Sequence, residues 1–66
     1  MASVAKHIRA LRNKRQLTQE ELAEKLFVTR QTVSNWETAK SQPDVETLEK
    51  IAAALDTDLM TLIYGA

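Results

Sequence analysis

Cysteine is absent from the 66 residues, so neither a disulfide framework nor a thiolate metal site is available. Histidine occurs once, at His7, which removes most zinc and triad chemistries. Glycine and proline also occur once each, at Gly65 and Pro43, and a chain so poor in both is neither β-rich nor loop-rich. No apolar run approaches the roughly 20 residues of a membrane span, and no signal-peptide pattern opens the chain. The length allows one domain, residues 1–66, near the lower size limit for folding without staples. A hydrophobic content of 44% is ordinary for a packed soluble domain. The default expectation is a small cytoplasmic domain, or a piece of a longer chain, because the sequence ends abruptly at "LIYGA".

Net charge is zero, which by itself speaks against a nucleic-acid partner, but the charges are unevenly placed. Residues 1–16 carry Lys6, Arg9, Arg12, Lys14 and Arg15 with no acid. Residues 42–66 carry Lys50 against Asp44, Glu46, Glu49, Asp56 and Asp58. Such asymmetry predicts a dipolar surface of which only the basic side need meet a polyanion. Acids at helix starts and bases at helix ends would complement helix dipoles and explain some of this, but not an acid-free run of sixteen residues.

Five helices follow from caps and periodicity. Ser3 can cap a first helix with Val4, Ile8 and Leu11 at i, i+4, i+7 and with Asn13, Lys14 and Arg15 in its last turn. Thr18 and Glu21 form a capping box ahead of a second helix, about 19–26, whose inner face is Leu22, Ala23 and Leu26. After Phe27 and Val28, Thr29 caps a third helix, about 29–37, anchored by Val33 and Trp36 at i, i+3. "PDVETLEKIAAAL" starts a fourth at Asp44, with Val45, Leu48, Ile51, Ala52 and Leu55 in one stripe. Asp58 caps a short fifth with Leu59, Leu62 and Ile63 inward, and Gly65 is its stop. The fold class expected is all-α, a compact globule of short crossing helices.

The third helix poses the functional question. Outside Val33 and Trp36, "TRQTVSNWE" is made of hydrogen-bonding side chains, and an apolar stripe this narrow leaves a wide polar face. The second and third helices are joined by two or three residues, so they cross steeply, as in a helix-turn-helix. Such a corner needs a small residue where the helices approach, and Ala23 stands there.

On "IRALRNKRQLTQEELAEKL", "VTRQTVSNWETAKSQPDVETLEKIAAAL" and "DTDLMTLIYG", nearly the whole chain resembles the Cro- and repressor-type helix-turn-helix DNA-binding domains, also called the xenobiotic-response-element type. The resemblance implies a five-helix, lambda-repressor-like fold. It also implies a bacterial or phage-type transcriptional regulator, most commonly a repressor, whose partner is double-stranded DNA. Carried over residue by residue, it implies base contacts from Arg30, Gln31, Ser34 and Asn35. Phosphate contacts fall to Gln19, Thr29, Thr32, Lys40 and Ser41, with Lys14 and Arg15 as lesser candidates. It implies a structural bridge between Arg12 and Glu37. The chemistry suits these roles, since arginine can donate twice to guanine, and glutamine or asparagine can pair bidentately with adenine. One departure stands out: Phe27 occupies the turn where the family usually has glycine. A phenylalanine at φ > 0 would be an outlier, so the expectation is a reshaped turn with the ring buried beneath the helices.

Each assignment has a plainer counterpart. Arg30 and Gln31 alone could merely be solvated, and His7 on its basic helix is expected to be. Trp36 lies on the Val33 face and reads as a core anchor. Glu20 and Glu21 imitate a catalytic dyad but sit where dipole and capping explain them. With no nucleophile–base pair or ligand cluster, neither an enzyme nor a cofactor or metal is expected. Met60 and Tyr64 are expected to stay outside as a patch for a two-fold contact, so that a homodimer reads half-sites roughly 34 Å apart. Alternatively, all five apolar residues of the last helix close the core. The rival function is a protein-interaction module, an antitoxin or adaptor, working through the acidic fourth and fifth helices.

Overall fold

In the computed structural model, which describes residues 3–65, five helices follow one another and no strand occurs among the described residues. They are α1 (Val4–Lys14), α2 (Gln19–Leu26), α3 (Arg30–Glu37), α4 (Val45–Ala54) and α5 (Leu59–Tyr64). Every one of them starts in the same way. Ser3, Thr18, Thr29, Asp44 and Asp58 are extended, and each side chain accepts the amide of the residue three positions on. That satisfies one of the four amides a helix start leaves without an intrahelical partner. At Thr18 the box is reciprocal, because the Thr18 amide also donates to Glu21 Oε1 at 2.8 Å.

The helix ends share a motif as well. Gln16, Phe27, Ala39 and Asp56 have φ of 59°, 58°, 61° and 55°, the left-handed region. At each, two amides turn back on the preceding helix. After α2, the Phe27 amide donates to the Glu24 carbonyl and the Val28 amide to Ala23, at 3.3 and 3.0 Å. The same pair of bonds closes α1, α3 and α4, which makes four Schellman motifs without a glycine.

The core is Ile8, Leu22, Ala23, Val33, Trp36, Leu48, Ile51, Ala52, Leu55 and Leu62, with Val4, Leu11, Leu17, Leu26, Val28 and Leu59 packed around it. α3 rests on α2 and α1, α4 on α2 and α5, and α5 closes back on α1. Buried Ala23 lets α2 and α3 cross closely, as the short connection between them requires.

Four expectations need correction. The Phe27 turn is not reshaped: the backbone keeps the left-handed conformation and the ring is 96% exposed. The two motif hydrogen bonds and the α2–α3 crossing outweigh the roughly 1–2 kcal/mol that an L-residue costs there. Val45 is 62% exposed, because the α4 stripe runs past the edge of the core at its first residue. His7 is half-buried rather than solvated, and its Nδ1 lies 2.7 Å from the Leu62 carbonyl. A carbonyl only accepts, so Nδ1 carries the proton. Arg15 is the C-cap of α1 rather than part of its last turn.

Candidate nucleic-acid interface

α3 has eight residues, and Val33, Trp36 and Glu37 are its buried ones. With Thr29 fixed as the cap, periodicity turns Gln31, Ser34 and Asn35 away from that buried side and leaves Arg30 at its edge, two turns before Glu37. Arg30 and Gln31 are exposed, and Ser34 and Asn35 half-buried. Gln31 Nε2 donates to Asn35 Oδ1 at 3.0 Å, so two of the candidate base readers already form one unit a turn apart. Thr29 Oγ1 accepts the Thr32 amide at 3.2 Å and shares a hydrogen bond with the Thr32 hydroxyl at 2.9 Å.

At the other end of α3, Glu37 is the charged residue buried in the core. Arg12 donates to it from Nε to Oε2 at 2.6 Å and from Nη2 to Oε1 at 3.1 Å, and a third donor, Nη1, reaches the Leu17 carbonyl at 2.7 Å. This bidentate pair joins α1 to α3 with side chains only 11% and 2% exposed. Gln19 Nε2 donates to the same carboxylate, at 3.0 Å from Oε1. Because a carboxylate can only accept, the Gln19 amide has one orientation, with Oε1 turned toward the start of α3. There it accepts from Arg30 Nη1 at 3.4 Å. Arg12, Glu37, Gln19 and Arg30 therefore form one chain from the end of α1 to the first residue of the polar face. The family resemblance implies Arg12 opposite Glu37, whereas the Gln19 bonds depend on a helix crossing that spacing alone does not fix.

Beyond α3, the Lys40 and Ser41 amides both donate to the Asn35 carbonyl, at 2.9 and 3.3 Å, which places this exposed pair against the end of the helix. Lys14 is exposed at the last turn of α1. Arg15 is engaged elsewhere: Nε donates to the Leu55 carbonyl at 2.9 Å and Nη2 to Asp56 at 3.0 Å, where it caps the end of α4. Met60 and Tyr64, 62% and 73% exposed, lie one turn apart on α5. Among the described residues no group of histidine, aspartate or glutamate side chains could hold a metal ion.

The profile of the helix-turn-helix family matches residues 8–62, most of the chain. The transcriptional activator BcrR of Enterococcus faecalis is 38% identical over 58 residues, covering 88% of this chain and 28% of that protein. The immunity repressor protein of Bacillus phage phi105 is 34% identical over 61 residues, covering 92% of this chain and 42% of the repressor. The chain thus spans less than half the length of either. The P22 c2 repressor protein, solved in complex with a synthetic operator, superposes over 100% of both chains with a TM-score of 0.91 and 27% identity.

Proposed function

The chain belongs to the helix-turn-helix family, and on that premise we propose that it is a sequence-specific double-stranded DNA-binding transcriptional regulator that reads the major groove with α3. The observation that carries this reading is the exposed face of α3. Gln31 and Asn35 are hydrogen-bonded one turn apart and Arg30 is exposed at the first residue, on a helix of eight residues that Val33 and Trp36 hold in place from behind. Arg30, Gln31, Ser34 and Asn35 contact base edges, and each bidentate contact is worth about 1–3 kcal/mol of discrimination.

Thr29, Thr32, Lys40, Ser41 and Lys14 contact phosphates and fix the register, which phosphate contacts do without reading sequence. Gln19 serves twice, steering Arg30 with Oε1 and keeping its second amide proton for a phosphate. Arg15 holds α1 to α4 instead. Met60 and Tyr64 bring two copies together about a two-fold axis, and the pair reads two half-sites. The regulator acts in the cytoplasm, by binding alone, and represses by occluding a promoter.

Selection from a random pool of duplexes, at low and moderate salt, tests this. The expected result is an enriched palindrome, with selective loss of binding in Arg30→Ala and Gln31→Ala at an unchanged urea midpoint. A folded chain that enriches no motif at low salt would overturn it, in favour of the protein-interaction reading.

A further inference from the structure

Phe27 is the most exposed of the large apolar residues among those described, at 96%, and it occupies a left-handed position where glycine would be the least strained choice. An aromatic there costs the chain twice, in backbone strain and in wetted apolar surface. The two motif hydrogen bonds hold the backbone in that conformation, but they do not call for an aromatic ring in solvent. The residues around the ring point to what does.

Phe27 stands at one side of an open groove of about 740 Å³ between the end of α2 and the last turns of α4. Leu26, Ala53 and Ala54 form its apolar floor, and the small side chains on α4 keep it open. Its charged lining is of one sign, Lys25 from α2 and Lys50 from α4. Lys50 has only a loose partner in Glu46, 3.8 Å away with both side chains mostly exposed, so its charge remains free for another. The groove is lined from α2, its C-cap and α4, and no residue of α3 lines it.

We infer that this groove docks an acidic amphipathic helix of a partner protein while α3 is on DNA. Apolar anchors of the partner fill the trough beside Phe27, and its carboxylates meet Lys25 and Lys50. Helix-in-groove recognition lays the apolar face of an amphipathic helix into an apolar channel, and cations at the rims select carboxylates beside that face. A second copy of the chain fits less well. The exposed apolar residues of α5, Met60 and Tyr64, span a single turn and belong to the two-fold contact proposed above.

The test is an amide NMR titration of the full chain with a synthetic helical peptide carrying leucines at i, i+3, i+4 and i+7 and glutamates on its other face. Saturable shifts are expected at Lys25, Phe27, Ala53 and Ala54, both free and with a bound duplex. The same peptide with lysine in place of glutamate should bind at least tenfold more weakly. Phe27→Gly should weaken binding at least tenfold while raising the thermal midpoint, so that loss of binding cannot be loss of fold. Lys25→Glu with Lys50→Glu should reverse the peptide preference. No saturable binding, equal binding to Phe27→Gly, or shifts confined to α3 or α5 would each overturn the proposal. Groove shifts produced by dilution alone, or by duplex alone, would overturn it in favour of self-association or phosphate binding.

Discussion

Glu37 is the residue on which the candidate interface depends most, because a carboxylate with so little access to water must have both its oxygens hydrogen-bonded. Arg12 and Gln19 supply those donors, and no buried side-chain polar atom among the described residues lacks a partner. Arg12→Ala leaves the carboxylate with one neutral donor, at a cost of about 3–5 kcal/mol. A domain of this size has little more than that in total, since small domains hold roughly 0.05–0.15 kcal/mol per residue. Arg12→Ala should therefore unfold the chain at much lower urea. Adding Glu37→Leu should recover part of the loss, and a double-mutant cycle with no coupling would dismiss the pair as a structural bridge. Phe27 shows where residue identity stops being informative. The sequence reveals that glycine is missing from the turn but not which yields, the backbone or the side chain. The backbone held, since two hydrogen bonds and a tight crossing depended on it, and the ring went to solvent.

At the scale of the element, the five starts were legible and the four ends were not. An N-cap is a choice of side chain, so Ser3, Thr18, Thr29, Asp44 and Asp58 could be picked out directly, and each caps as expected. A Schellman end is a backbone conformation, and with Gln, Phe, Ala and Asp in the left-handed place nothing in the sequence marks it. Site residues divide along the same line. The polar face of α3 follows from periodicity, whereas the partners of Gln19, Arg15 and His7 lie across helix crossings.

The caps also set an acid limit. The Thr18 amide, then its hydroxyl, hold the Glu21 carboxyl below its ordinary value. The Thr47 side chain and amide do the same for Asp44, and the Thr61 amide and hydroxyl for Asp58. Each folded pKa lies below its unfolded one, which is about 3.9 for Asp and 4.3 for Glu. Their contribution is thus complete above roughly pH 5 and disappears as pH falls through the folded values. The thermal midpoint should be level from neutrality to about pH 5 and drop below about pH 4. Asp44→Asn retains an acceptor for the cap without the titration, so it should flatten part of that drop. An unchanged acid slope would mean that other groups set the limit.

On the scale of the whole molecule, size and charge decide how DNA is engaged. The longest extent is 26 Å, shorter than the roughly 34 Å between successive half-sites on one face of a duplex, so the proposed readout of two half-sites requires two copies. Net charge is zero, and phosphate binding must come from local cations such as Lys40 rather than from a general field. Lys40→Ala should weaken binding to every sequence alike and reduce the slope of log K against log salt by about one. A change in preferred sequence instead would make Lys40 a base reader. Overall shape also bears on how the chain is made. The first helix has as its neighbour the last one, through the His7 bond to Leu62 and the fit of Gly65 against the imidazole, where an added Cβ would sit 2.9 Å from Nε2. On the ribosome, α1 emerges with that side uncovered, and its partner is translated some fifty residues later. The nascent domain cannot close until α5 has cleared the exit tunnel, so α1 waits with its apolar side open through the synthesis of the three helices between them.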